Sequence, residues 1–202
     1  MSMQQAAFVL ASGSAGRRMV LKNAGLTFEV MPAAVDEEAI RQQFPQRGEA
    51  DFTALALALA DAKALEVSRR SPLPVLGGDQ LLVLDGEVFG KPRDMQEARA
   101  HLQRLRGRTH HLISALSVAQ GGEVVWQHVD SAAMTMRAFT DAFLDAYLRD
   151  LGEKALTSVG CYQVEGPGIQ LFEKIKGDHF TIIGLPLLPF LAWLRQRGLL
   201  LA

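Results

Sequence analysis

The stretch Pro74-Val75-Leu76-Gly77-Gly78-Asp79-Gln80-Leu81-Leu82-Val83-Leu84-Asp85-Gly86-Glu87-Val88-Phe89-Gly90-Lys91-Pro92 decides the fold. Its apolar run from Pro74 to Leu76 reads as a buried strand, and Gly77-Gly78 reads as the place where the chain opens at the strand's end. That puts Asp79 at a strand tip, where α/β proteins bind ligands. A second run, Leu81 to Leu84, turns at Asp85-Gly86 and returns to Lys91 as a hairpin. One acid and one base are thereby set at a fixed separation, able to face one cleft. Two ordinary turns carrying solvated charges fit the same residues.

The N-terminal segment has a related character. Phe8-Val9-Leu10-Ala11 is a short apolar strand that breaks into Ser12-Gly13-Ser14-Ala15-Gly16-Arg17-Arg18, with Met19-Val20-Leu21 as the start of a helix. Small residues and hydroxyls between a strand and a helix offer exposed N–H groups and the positive end of a helix dipole, which suits an oxyanion. Arg17 adds a planar fork for phosphate. The G-x-x-x-x-G-K-[ST] spacing of a P-loop is absent. A helix cap reads equally from these serines.

Alternation of short strands with amphipathic helices argues for an α/β fold. Residues Asp51 to Arg70 form the clearest helix, with Phe52, Leu55, Leu59 and Ala62 on one stripe and Lys63 at its edge, where a lysine ordinarily snorkels. Asp94 to Arg106 reads as a helix capped by Asp94 with Glu97 three residues on. Thr109 to Val118 and Val124 to Met136 read as strands joined at Gly121-Gly122, followed by a helix capped by Thr140 and running to about Leu151. A strand pair is expected at Phe172 to Ile175 and Phe180 to Ile183, then a proline-interrupted helix ending at Gly198.

The chain has 202 residues, 49% of them hydrophobic, which suits a single domain, 1–202, or one domain with two lobes. A formal net charge of −1 gives no bulk attraction to nucleic acid, so a nucleic-acid partner is not expected. The single cysteine, Cys161, has no partner for an intrachain disulfide, and the expected location is the cytoplasm. The apolar stretch from Gly184 to Leu194 is short and broken by proline, so no membrane association is expected. His110 and His111 point to opposite faces of a strand, and with His101, His128 and His179 they are taken as structural.

In order, L-A-S-G-S-x-x-R at Leu10 to Arg17, Val35-Asp36-Glu37, A-x-A-K at Ala60 to Lys63, G-G-D-Q at Gly77 to Gln80 and G-K-P at Gly90 to Pro92 together resemble the Maf family of nucleoside triphosphate pyrophosphatases. Leu105-Arg106-Gly107-Arg108-Thr109-His110, Gly160 to Gly166 and Gly184-Leu185-Pro186-Leu187 agree with it, so the likeness covers nearly the whole chain. It implies a twisted mixed sheet flanked by helices, two lobes around a deep cleft, and a homodimer. It also implies hydrolysis of a nucleoside triphosphate to a monophosphate and pyrophosphate.

By the same resemblance, a divalent cation, magnesium or manganese, is held near Glu37 and Asp79, and Asp79 is the general base. Lys63, Lys91 and Arg17 stabilise phosphate charge, and Ser12 and Ser14 belong to the phosphate-binding loop. Gly16, Gln80 and Glu165 fall where the family reads the base. The D-Q pair and the segment from Glu165 to Glu173 look more like the branch acting on 7-methyl-GTP than the branch acting on dTTP and UTP. A carboxylate at Glu165 suits the two adjacent N–H donors of a guanine edge, although a solvated turn residue fits there too. Gly16 departs from both branches, which carry arginine or a large aromatic, so a stacking partner is sought in Phe89 or Tyr162 and the base stays open. A nucleotide-binding regulator of septum formation is the alternative from another functional class.

Overall fold

The computed structural model describes residues 6–44 and 48–201. The described chain contains seven strands in one sheet, ordered β2-β1-β3-β5-β6-β7, with β4 paired to β3. Contacts divide it into two compact units: of the described residues, the first holds those up to Gln80, Ser114–Asp130 and those from His179 on, and the second holds Leu81–Ile113 and Ser131–Asp178. The expected α/β class is what is observed, a mixed sheet flanked by helices.

In the first unit, β1 (Phe8–Leu10) pairs in parallel with β2 (Phe28–Val30) on one side and with β3 (Val75–Leu84) on the other. The connection through α1 (Ala15–Asn23) leads to β2, while α2 (Glu37–Arg41) and α3 (Glu49–Ser68) lead back across β1 to β3. The direction of winding therefore reverses at β1. In open α/β sheets, ligands bind at the carboxyl ends of the strands where that reversal occurs.

Asp79 is not at a strand tip. β3 continues unbroken through Gly77-Gly78-Asp79-Gln80 to Leu84, and it is its parallel neighbour β1 that ends, with Val9 and Leu10 paired to Val75 and Leu76. The two glycines open no turn; they make room. A Cβ on Gly77 would lie 2.3 Å from the Ala60 carbonyl oxygen and 2.7 Å from the Ala64 amide nitrogen of α3. A Cβ on Gly78 would lie 3.2 Å from Arg17 Nε and from Leu116 Cδ2. Small residues on both sides let α3 lie close on β3, and that approach delivers Lys63 to Asp79.

Helix α3 is apolar on more than one stripe: Phe52, Leu55, Ala56, Leu59, Ala60, Ala64 and Val67 are all buried. The core of this unit packs Phe8, Leu10, Leu21, Leu76 and Leu116 with Phe190, Trp193 and Leu194 of α7 (Leu187–Gln196), which ends before Gly198. The expected strand at Phe180 to Ile183 is instead helix α6 (His179–Ile183). Its β-branched run is overridden by a Schellman end, in which Gly184 at φ 94 donates to the Thr181 carbonyl and Leu185 donates to the Phe180 carbonyl. Helix α1 also begins earlier than Met19, at Ala15.

In the second unit the hairpin forms as expected, with Asp85 and Gly86 both at positive φ between β3 and β4 (Glu87–Phe89). Helix α4 (Met95–Leu105) is capped by Asp94, whose carboxylate accepts from Glu97 N at 2.8 Å, while Glu97 accepts from Arg93 N at 2.7 Å. Thr140 likewise caps α5 (Asp141–Leu151). Strands β5 (Thr109–Gln120) and β6 (Glu123–Met136) each have residues in both units and are joined at Gly121-Gly122 in the first, and β7 (Phe172–Lys176) pairs antiparallel with the second-unit part of β6.

Candidate active site

Where β1 ends, its chain turns into α1 through Ser12 and Gly13, and Ser14 becomes the N-cap by accepting from Arg17 N at 3.3 Å. Ser12 Oγ accepts from Ser14 N at 3.2 Å and from Arg17 Nη1 at 3.0 Å. Arg17 Nε donates to the Gly184 carbonyl at 2.7 Å. This guanidinium is buried, at 8% exposure, and burial draws its pKa down against the charges of Asp79 and Glu37, which push it up. It is held in place before any ligand arrives, on the first turn of a helix whose N-terminal amides favour anions.

Beside it lies a carboxylate pair bridged by one ammonium. Lys63 Nζ is 2.7 Å from Asp79 Oδ1 and 2.8 Å from Glu37 Oε1. Glu37 enters as the first residue of α2, which Asp36 caps by accepting from Ala39 N at 3.0 Å, so V-D-E supplies a cap and then one of the two carboxylates. Burial raises the Glu37 pKa, but the hydrogen bond and charge of Lys63 and the charge of Arg41 outweigh it and hold the carboxyl below its ordinary value. Lys63 does not snorkel; it is turned inward to these two acids.

Asp79 Oδ2 is buried and has no hydrogen-bond partner among the described residues. A carboxylate oxygen left in that state is costly unless something else satisfies it. Together with Glu37 it makes a pair of hard oxygen donors, and among the described residues no group of three or more His, Cys, Asp or Glu is gathered to hold a metal. Two carboxylates, with other oxygens completing the shell, fit a hard divalent cation that keeps several waters.

The structure thus brings Ser12, Ser14, Gly16, Arg17, Glu37, Lys63, Asp79 and Gln80 into one unit. Gly16 stands in the first turn of α1, where a Cβ would lie 3.1 Å from Ile183 Cγ2. Gln80 donates through Nε2 to Ser114 Oγ, the Thr181 carbonyl and the Ile182 carbonyl at 2.9, 3.1 and 3.0 Å. Ser114 and the α6 carbonyls went unnoticed in the sequence; the Gly184-Leu185-Pro186 helix end was the available signal for α6, and nothing local marks Ser114.

Lys91 and Glu165 belong to the second unit, where both are exposed. The stacking partners sought in Phe89 and Tyr162 are not available as open faces. Phe89 is 3% exposed, edge-on to His101 with Arg104 over its ring, and Tyr162 is buried with its hydroxyl 2.7 Å from His110 Nε2. Cys161 is fully buried, and burial pushes its thiol up to about 12, which suits a packing residue.

Among curated proteins, the "7-methyl-GTP pyrophosphatase" of Rhizobium meliloti is 53% identical over 191 residues, 94% of this chain and 96% of that one. Its counterpart in Mesorhizobium japonicum is 54% identical over the same shares. The "Nucleoside triphosphate pyrophosphatase" of Granulibacter bethesdensis is 49% identical over 94% of this chain and 96% of its own. Of solved structures, a HAM1 protein from Coxiella burnetii aligns at 16% identity over 65% of this chain and 73% of that one, with a TM-score of 0.43, too slight a likeness to bear on the site. The Maf-like protein family matches residues 7–197, a span that contains every residue of the site just described, and the chain belongs to that family.

Proposed function

We propose that the chain hydrolyses a nucleoside triphosphate to its monophosphate and pyrophosphate, acting on 7-methyl-GTP or another modified nucleotide. The observation that carries this reading is the set Ser12, Arg17, Glu37, Lys63 and Asp79, with a buried carboxylate oxygen left unsatisfied at its centre. The names of those relatives, at about half identity over nearly full length, support it.

A triphosphate brings several negative charges that must be neutralised before a nucleophile can approach the α-phosphorus. Arg17 and Lys63 supply fixed positive charge, and Ser12, whose oxygen accepts from Arg17 and Ser14, has its own O–H to donate to a phosphate oxygen. Glu37 and Asp79 would hold a magnesium or manganese ion, which when bound neutralises phosphate oxygens and polarises water. Asp79, held through Oδ1 by Lys63, is the general base that orients the attacking water and takes its proton. The water oxygen bonds to the α-phosphorus, the bond to the bridging oxygen breaks, and pyrophosphate leaves with that electron pair. Lys91 would steady the departing charge, and Glu165 would read the base. A homodimer in the cytoplasm completes the proposal; among the described residues no helix is long and apolar enough to cross a membrane.

Hydrolysis in ¹⁸O-labelled water tests the reaction. Label in the monophosphate, with unlabelled pyrophosphate, is expected; label in inorganic phosphate, or in pyrophosphate, would show attack elsewhere and reject it.

A further inference from the structure

Gln80 follows Asp79 on β3, and its side-chain amide is gripped from one end only. Nε2 faces three oxygens, Ser114 Oγ at 2.9 Å and the carbonyls of Thr181 and Ile182 at 3.1 and 3.0 Å. Ser114 in turn donates to the Thr181 carbonyl at 2.8 Å, so its hydroxyl proton is committed and its lone pair is what meets Gln80. Ser114 and Thr181 are fully buried, and the Thr181 hydroxyl is tied to Asp130 Oδ2 at 2.8 Å, which anchors α6 to β6.

This arrangement settles which way the amide points. Rotating it by half a turn would set Oε1 against two backbone carbonyl oxygens, replacing attraction with repulsion and leaving buried acceptors unpaired. Oε1 therefore faces away from this cluster. It takes no hydrogen bond from the described residues, and it is not one of the buried atoms sealed without a partner. The same amide lies against Gly184, where a Cβ would be 3.5 Å from Gln80 Cδ and 3.5 Å from Arg17 Nη2.

We propose that Ser114 is a positioning residue which, with the carbonyls of Thr181 and Ile182, locks the Gln80 amide so that Oε1 is a fixed acceptor for an N–H donor on the nucleotide base. The inference rests on the nucleotide-hydrolase reading above. A phosphate offers no donor to Oε1. A ribose hydroxyl both donates and accepts, so it would be met by either end of an amide and would gain nothing from the lock. A base N–H has one polarity, and guanine presents two such donors side by side, whereas the single donor of uracil is flanked by carbonyls that a fixed acceptor repels.

The test compares kcat/KM for 7-methyl-GTP and UTP in the native chain, Ser114→Ala, Ser114→Thr and Gln80→Met. A fraction of unfolded enzyme lowers both values equally, so their ratio reports base reading alone. The native chain is expected to favour 7-methyl-GTP; Ser114→Ala and Gln80→Met are expected to lower the ratio about tenfold, and Ser114→Thr to restore it. A ratio unchanged in Ser114→Ala or Gln80→Met overturns the proposal. The lock has a second readout that needs no turnover: the Gln80 side-chain amide protons should exchange slowly with solvent in the nucleotide-free protein and faster in Ser114→Ala. Equal exchange in the two would reject the lock even if hydrolysis stands, and absence of hydrolysis with the expected exchange would fault the nucleotide reading instead.

Discussion

Lys63 divides one positive charge between two carboxylates, and at the residue scale the site stands on that division. Asp79 has only 8% of its side chain exposed and Glu37 has 42%, so removing the ammonium strands one buried charge and one half-exposed charge together. Breaking a fully buried pair costs about 3–5 kcal/mol; with Glu37 partly in water, Lys63→Met is expected to lower stability by about 2 kcal/mol. Turnover is expected to fall on the order of 10²-fold. Denaturant midpoints and steady-state rates measured together check both, and an unaltered midpoint would mean that Lys63 is not holding the acids. The neighbouring glycines separate packing from chemistry. Gly77→Ala drives a methyl into the backbone of α3 and is expected to cost about 3 kcal/mol, whereas Gly78→Ala meets only the Arg17 and Leu116 side chains and is expected to cost about 1 kcal/mol. Denaturation of the two variants side by side gives the order, and a reversed order would mean that α3 does not press on Gly77.

At the scale of elements, the strands β5 and β7 of the second unit enclose a histidine that acts on stability through pH. His110 is fully buried on β5, with Nε2 on the Tyr162 hydroxyl and Nδ1 without a partner among the described residues, and burial, with His111 adding to it, pushes its pKa down to about 3. The unfolded chain binds a proton at this residue below about 6.5 and the folded chain does not, so stability is full above that value and is lost as pH falls toward 3. The loss is on the order of a few kcal/mol. Glu37 acts in the same direction only below its ordinary value of 4.5, so the window between 4.5 and 6.5 belongs to the histidines: His110 first, with His101, which burial also holds below its ordinary value, adding a smaller part. His110→Phe is expected to lower stability at pH 8, because the Tyr162 hydroxyl loses its partner, while flattening the slope across that window. An unaltered slope in thermal melts would reject the assignment.

Elements were legible where local chemistry and periodicity agreed. Asp94 and Thr140 announced their helices by capping, and Asp85-Gly86 and Gly121-Gly122 announced their hairpins by the positive φ that such turns need. The Phe180 to Ile183 segment misled because β-branched residues favour strands, yet a glycine and proline just beyond them end a helix more firmly than propensity starts a strand. Gly77-Gly78 misled for a different reason. A glycine pair marks either a turn or a close approach, and only the position of α3 distinguishes them.

At the scale of the whole molecule, the acids and bases of the site come from segments far apart in sequence, and periodicity alone left Lys63 on the edge of a helix stripe. Its pairing with Asp79 depends on the tight contact of α3 with β3, which no local pattern reveals. The winding reversal at β1 explains why these segments converge at one end of the parallel strands. Family membership over residues 7–197 agrees with that convergence. Ser114 stayed hidden because a serine within an apolar strand carries no spacing signal, and its part depends on Gln80 and α6 arriving from elsewhere.

Activation of water by Asp79, as proposed, makes pyrophosphate release from a triphosphate depend on its carboxylate. Ordinary and modified nucleoside triphosphates are incubated with magnesium or manganese, using the native chain and Asp79→Asn, with nucleotide binding measured in parallel. Release by the native chain is expected, best with a modified guanine nucleotide, and a loss of at least about 10²-fold in Asp79→Asn with binding retained. Full turnover in Asp79→Asn, or binding without release in the native chain for every triphosphate tried, would contradict it.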